Sequence, residues 1–450
     1  MSAVTEQTQQ KIDDVVRSFK SSSAIESKIL LSSLRPPEVA NVLESFPTKV
    51  RQVIWDLLDE EIRNQTLQHL NEDVRGSFLQ EMDTAQLVAV ADDLDTDDFA
   101  DILQQLPQSI TDQVLASLDH RDRARVEAVL SYDEDSAGGL MNTDTITIRP
   151  RHALELVFRY LRIRKDLPET TDALIVVNSR DEYVGMLPFS KLLTSDPTVT
   201  VREVMDSDAP AIQVDAPDTE VARIFSDQDL VSAAVVDSAG RLVGRITIDD
   251  VVDVIIEDAT EAVLGPAGLG VDEDTFAPIH KSLRRRAIWL GINLITAFIA
   301  AAVINLFEAT IVKVVALAVL MPIVASMGGI AGTQTLTLVI RGEALGHINQ
   351  SNLMWLLNRE FVISVLNGLL WASLVAVTAA IAFQDLNLGL VIGAAMIITI
   401  VVAAVAGSLL PSILRRMNID PAIAGGVVLT TITDVTGFFV FLGLATLVYA

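Results

Sequence analysis
A single carboxylate, Asp434, stands fourteenth in a thirty-residue apolar run, residues 421–450. At that depth a carboxylate costs roughly 2.5–3.5 kcal/mol to insert into a bilayer. A charge so placed normally faces a partner or a water-filled path. Three roles are open to it: holding a permeating cation, carrying a proton, or sitting neutral in hydrogen bonds to Thr430, Thr431, Thr433 or Thr436. No Lys, Arg or His lies inside any of the long apolar runs to pair with it. A second set of acids lies upstream: Asp249, Asp250, Asp253, Glu257, Asp258 and Glu261. Of these, Asp250, Asp253, Glu257 and Glu261 recur at the three- and four-residue spacing that shares one helix face. Like charges there repel unless a cation neutralises them, and a solvated acidic face is the plain alternative.

Five apolar runs are long enough to carry Asp434 into a membrane: residues 287–307, 314–340, 361–384, 386–414 and 421–450. Lys281, Arg284, Arg285, Arg286, Arg341, Arg359, Arg415 and Arg416 flank them on one face, and Lys313 alone flanks them on the other. That bias predicts a cytoplasmic N-terminus and residence in the cytoplasmic (inner) membrane as a multi-pass protein. In the second run Pro322 precedes Gly328, Gly329 and Gly332, which predicts either close backbone approach or a broken helix. Gly425 and Gly426 come about two turns before Asp434.

The charge is unevenly spread. Of 59 acids and 33 bases, only six and five follow Arg286, leaving 53 acids against 28 bases in residues 1–286 (59 − 6 and 33 − 5). Such a polyanion attracts cations and excludes nucleic acid as a partner. No cysteine is present, which removes thiolate metal sites and fits a reducing compartment. Residues 1–20 are polar with no apolar core, so no signal peptide is expected. The five histidines are scattered, and no nucleophile–base pair or phosphate loop appears, so the chain is not expected to be an enzyme.

Residues 20–135 read as an acidic helical domain, with Val50, Val53, Ile54, Leu57 and Leu58 at helical spacing. Residues 34–47 align without gaps on 94–107, closing Pro included, which predicts stacked helical repeats in a superhelix, with an ordinary helical bundle as the plain alternative. A second duplication follows. Met141 and Met205 open two units, each with a helical stretch and a β-branched strand pair around a turn, at 173–187 and 232–246. This pattern resembles tandem CBS modules, small α/β regulatory units, over 136–200 and 201–258. Helical spacing returns at 248, and residues 265–270 end that helix.

Taken together, five features resemble the MgtE family of magnesium channels. They are the acidic helical domain, the linker from Tyr132 to Met141, the CBS pair, the acidic connecting helix, and Asp420-Pro421 followed by Thr433-Asp434-Val435-Thr436-Gly437. The resemblance implies a multidomain chain: a superhelical N-domain, tandem α/β CBS modules, a connecting plug helix over 248–275, and a five-helix α transmembrane domain over 284–450. It implies a homodimer in the lipid bilayer that takes up Mg2+ and is closed by intracellular Mg2+, so the ion is both transported and regulatory. Asp434 from each protomer would line the pore. Asp97 and Asp101 would share regulatory magnesium with Asp229, Asp250, Asp253, Asp258 and Glu261, and Asp420 would meet the plug helix in the closed state.

Three departures from the family pattern stand out. Ile330 and Thr333 replace frequent asparagines, and Lys191 falls where the first CBS module's nucleotide-binding Asp is expected, which counts against ATP binding. Two other functions remain open: a proton-coupled divalent cation carrier titrating at Asp434, and a membrane-anchored adenylate sensor.

Overall fold
The computed structural model describes residues 24–449, apart from 165–166, 169, 272, 345–346, 349–350 and 418. The polar start, residues 1–20, and the first four residues of the helical domain lie outside the described residues. The chain divides into two compact units. One runs to Thr260 and resumes over Asp272–Pro278; the other comprises Glu261–Val271 and Ile279–Ala450.

The first unit opens with nine short helices among the described residues: α1 (Ala24–Leu31), α2 (Pro36–Glu44), α3 (Thr48–Leu57), α4 (Glu60–Leu67), α5 (Glu72–Leu79), α6 (Thr84–Asp93), α7 (Thr96–Gln104), α8 (Gln108–Ser117) and α9 (His120–Val129). Their starts are set locally. Pro36 opens α2, Asn71 caps α5 by accepting from the Val74 N–H, and Asp83 and Gln86 form a reciprocal capping box on α6. The expected repeat is visible in detail, since α2 and α3 recur as α7 and α8. Arg51 donates to the Leu43 carbonyl at 2.8 Å, and Thr111, at the matching position, donates to the Leu103 carbonyl at 3.1 Å. Val39, Leu43 and Ile54 from one repeat and Phe99, Ile102, Leu103 and Val114 from the other join a single buried core. Each such side chain contributes about 1.5–3 kcal/mol on burial.

Two three-stranded sheets follow. In the first, β1 (Thr147–Ile148) pairs parallel with β2 (Ala173–Val177), which pairs antiparallel with β3 (Tyr183–Pro188). In the second, β4 (Ala211–Gln213), β5 (Ser232–Val236) and β6 (Leu242–Thr247) repeat that order and directions. Even the register shift recurs, at Val176/Val177 and at Val235/Val236. Helices α10 (Leu154–Arg164), α11 (Phe189–Thr194) and α12 (Val201–Val204) accompany the first sheet, and α13 (Asp218–Gln228) the second.

The modules exchange their opening segments. Ala137 and Met141 are buried in the second module's core with Ile212, Phe225 and Val254, while Val201 is buried in the first. Tyr132 and Leu140 pack on the former core, and Val204 and Met205 on the latter. Asn142 bridges Arg245 of β6, and Asp206 bridges Met186 of β3.

Helix α14 (Ile248–Leu264) leaves β6 directly and ends in a 3-10 turn, Gly265–Ala267. Gly268 follows with φ +70°, and a Cβ there would fall 2.2 Å from the Trp289 ring, so glycine is required on both counts.

In the second unit five helices are long and apolar enough to cross a membrane: α15 (Ile279–Asn305), α17 (Ala316–Ala344), α18 (Leu353–Phe383), α19 (Leu386–Arg416) and α20 (Pro421–Tyr449). A short α16 (Glu308–Lys313) joins the first two. Each corresponds to one of the five apolar runs. Four of them extend past those runs into charged sequence: α15 takes in Lys281 and Arg284–Arg286, α17 takes in Arg341 and Glu343, α18 takes in Arg359 and Glu360, and α19 takes in Arg415 and Arg416. The apolar runs therefore understate the helices, and charged side chains do lie within them. Helix α17 is continuous through Pro322, so close approach is the reading that holds. A Cβ at Gly407 of α19 would meet the Gly332 carbonyl at 2.7 Å, and one at Gly328 would meet the Thr399 methyl at 2.7 Å.

Candidate functional site
Two helix starts bring the extramembrane acids together. Asp95 occupies the N-cap position of α7, and Asp97 and Asp98 its first turn. Asp249 and Asp250 occupy the first turn of α14. Asp250 accepts from the Thr247 N–H at 3.2 Å and from its hydroxyl at 3.0 Å, which fixes the carboxylate at the helix entrance. Both helix ends present unpaired N–H groups and a partial positive charge, which offsets a little of the repulsion.

Burial and mutual repulsion outweigh that offset. Burial, then Asp250, Asp98 and Asp95, push the Asp97 carboxyl well above its usual range. Burial, Asp250, Asp101 and Asp95 push Asp98 up to about 8, with Arg75 opposing. Burial and Glu134 push Asp101 up to about 7, against Arg75, with Asp250 and Glu72 adding smaller repulsions. Burial and Asp249 push Asp250 up to about 7, against its hydrogen bonds from Thr247. Asp97 is 7% exposed and its Oδ1 has no hydrogen-bond partner among the described residues. Three of the expected residues, Asp97, Asp101 and Asp250, thus fall in one group. Sequence reasoning missed Asp98, Asp95, Glu72 and Glu134. The run Asp95-Thr96-Asp97-Asp98 at a helix start was the available signal for the first two.

The other expected acids sit apart from that centre. Asp253 is raised by burial and by Asp249. Asp258 is raised by burial, and it acts with Asp135 and Asp133 on Asp218, whose carboxyl burial lifts against a hydrogen bond from Thr219. Asp229 caps α13 in the left-handed region, φ 52°, and does not figure among the acids acting on either group. Glu261 lies near the end of α14. Among the described residues no three His, Asp or Glu side chains converge closely enough to hold one metal ion directly.

In the membrane unit, Asp434 lines a groove of about 840 Å3 between α17 and α20, with Ser326, Gly329, Thr337 and Thr430. Ile330 and Thr333, two of the departures from the family pattern, line the same groove. Arg341 also lines it, which corrects the expectation that no cation is available inside a span. Thr430, Thr431 and Thr433 donate their hydroxyl protons to backbone carbonyls of their own helix. Asp420 precedes Pro421 and caps α20, accepting from the Ala422 N–H at 2.7 Å. Next to it, Gly265 is buried against Ile423, 3.5 Å from where its Cβ would be. The end of α14 therefore meets the start of the Asp434 helix.

Lys191 is exposed in α11. Its counterpart in the second module, by the shared strand order, is Asp250. The acid absent from one module is thus present in the other, where it joins the acidic group.

Three family models match the chain: a divalent cation transporter domain over 321–444, an MgtE intracellular N domain over 34–135, and a CBS domain over 201–257. "Magnesium transporter MgtE" of Thermus thermophilus is 30% identical over 93% of this chain and 94% of its own length. The Bacillus subtilis protein of that name is 27% identical over 96% and 94%. A solved structure of the cytosolic domain of the Mg2+ channel MgtE in complex with ATP is 30% identical, covers 54% of this chain and 99% of its own, and superposes with a TM-score of 0.50. These relatives are named for transport rather than for an enzyme activity. This chain, a multi-pass membrane protein with a helical N-domain, a CBS pair and five membrane helices, belongs to the MgtE family of magnesium transporters.

Proposed function
We propose that the chain acts as a homodimeric magnesium channel of the inner membrane, its N-terminus in the cytoplasm, that takes up Mg2+ and is closed by intracellular Mg2+. The observation that carries this reading is Asp434, held over a groove whose walls come from two helices of one protomer. A two-fold copy supplies the opposite wall and a second Asp434. Magnesium gives up water reluctantly and usually keeps part of its octahedral shell. A pair of carboxylates across a wide path holds such an ion through its waters. Uptake needs no coupling: one charge gains ~2.3 kcal/mol per 100 mV, so a divalent ion gains about twice that.

Closure is an electrostatic event in this reading. Without magnesium, Asp97, Asp98, Asp101 and Asp250 repel one another, and their packing costs free energy. Hydrated magnesium neutralises them and favours the packed state, a population shift by a ligand that prefers one state. The orphaned Asp97 Oδ1 is a ready acceptor for an ion's water. Asp253, Asp258 and Glu261 extend the sensing surface along α14, Asp229 adds to it from the end of α13, and Asp420 receives the end of α14 at the pore mouth. Affinities of order 10⁻⁴–10⁻³ M suit such modular carboxylate sites.

Magnesium flux into liposomes tests the reading, with wild type compared with Asp434→Ala. Flux without a pH gradient that vanishes in the variant supports the channel. Flux that follows a pH gradient points to the carrier, and nucleotide binding without flux to the sensor.

A further inference from the structure
A second cavity, of about 580 Å3, opens between α17, α18 and α19, on the other side of α17 from Asp434. Ile330, Gln334 and Leu338 line both spaces, so α17 is the wall between them. One end of this cavity is charged. Glu360 is 7% exposed and pairs with Arg359 at 2.8 Å. The other end is apolar, formed by Trp371, Met327 and Ile400. Arg359 and Trp371 are twelve positions apart, about 18 Å along the helix. Two amides sit between, Gln334 and Asn367, and neither makes a hydrogen bond among the described residues. Unsatisfied polar groups at membrane depth are costly, so they call for a polar occupant. Outside the cavity, Val362, Leu366 and Leu370 are exposed apolar side chains.

Charge at one end, amides in the middle and an apolar floor match an amphiphile. We propose that this cavity binds a phospholipid whose headgroup carries a phosphate and a primary ammonium. Arg359 takes the phosphate and Glu360 the ammonium, each with the opposite sign. Asn367 donates to an acyl ester carbonyl, and the chain runs down past Trp371. A choline headgroup cannot donate hydrogen bonds to Glu360, and a glycerol headgroup brings it no cation. The size is ordinary for a small-molecule site.

Native mass spectrometry of the full, delipidated chain tests this, titrated with phosphatidylethanolamine, phosphatidylcholine and phosphatidylglycerol. The ethanolamine lipid should bind about tenfold more tightly than the other two. Glu360→Gln should erase that preference. Asn367→Leu, which fills the cavity and leaves both charges in place, should weaken all three lipids. Equal retention of the three lipids by wild type overturns the proposal, as does an unchanged preference in both variants. Free phosphoethanolamine that competes as well as the lipid would assign the site to a soluble ligand and overturn the lipid assignment.

Discussion

Arg51 and Asp274, 223 residues apart, form a buried two-armed ion pair with both contacts at 2.6 Å. Arg51 is 2% exposed and Asp274 6%. The guanidinium also donates to the Leu43 carbonyl, and Asp274 accepts from the Phe276 N–H at 2.8 Å. A helical repeat near the start of the chain is thereby tied to the residues just before Ile279, where the first membrane helix begins. In the second repeat the matching residue is Thr111, which keeps the carbonyl bond and has no arm to extend.

Removing one partner leaves the other charge buried, a loss of about 3–5 kcal/mol. Arg51→Thr, which copies the second repeat, should therefore lower the unfolding temperature of the extramembrane part by about 10 °C. Arg51→Met with Asp274→Leu should recover most of that loss, since an apolar pair of similar volume is often neutral. Differential scanning of the purified chain reads both. Equal unfolding temperatures for wild type and Arg51→Thr would show that the pair is not packed in solution.

Protons and magnesium should compete at the acidic group. Asp98, Asp101 and Asp250 hold their protons up to about 8, about 7 and about 7, against 3.8 for an ordinary Asp. The packed state therefore binds more protons than the unfolded chain, and its stability falls as pH rises through that window. Without magnesium the unit should be more stable at about pH 5.5 than at about pH 8.5, and millimolar magnesium should narrow the gap. Thermal unfolding with and without chelator measures this. A flat profile without magnesium contradicts the repulsion on which closure rests.

Asp98 should matter as much as the residues foreseen from sequence. Asp98→Asn relieves repulsion in the packed state and removes a charge from the ion's surroundings. Its packed unit should be more stable than wild type without magnesium, and magnesium should protect it less. In flux, Asp250→Asn combined with Asp253→Asn should leave the channel open at high internal magnesium. Asn at 250 still accepts the Thr247 bonds, so the helix start survives. Hydrogen exchange with and without the ion measures the first effect, and liposome flux the second.

Gly407 is where α19 touches α17 through bare backbone. Gly407→Val places carbon against the Gly332 carbonyl and should cost about 1–3 kcal/mol by overpacking. Gly426→Val, where a Cβ meets nothing within 4 Å, should be tolerated. Unfolding temperatures in detergent separate the two, and equal losses would argue against the close contact.

Much of this was legible in the sequence. The helical repeat at 34–47 and 94–107, the duplicated strand pairs and the five apolar runs all reappear as elements, because each rests on local periodicity. Asp97, Asp101 and Asp250, which the structure places in one group, were among the residues that the resemblance named. Three things escaped. Glu134 was hidden because convergence of α7, α14 and the linker after Tyr132 is tertiary and leaves no spacing signal, whereas Asp98 stood in a visible acidic run at the start of α7 that the spacing argument passed over. Glu360 stood at the edge of an apolar run, where hydropathy treats a charge as a boundary rather than as a buried residue. The Arg51–Asp274 tie spans most of the chain, beyond the reach of any local pattern.

The exchanged opening segments carry a mechanical consequence. Tyr132, Leu140 and Met141, which lead out of the helical repeats, share one core with Val251 and Val254 at the base of α14. That core joins the segment after the repeats to the base of α14. Seventeen helical residues make an arm about 25 Å long, so a tilt of about 5° at the base carries its tip about 2 Å. In the closure proposed above, a small settling of acids around an ion would become a displacement of that size at the tip of α14.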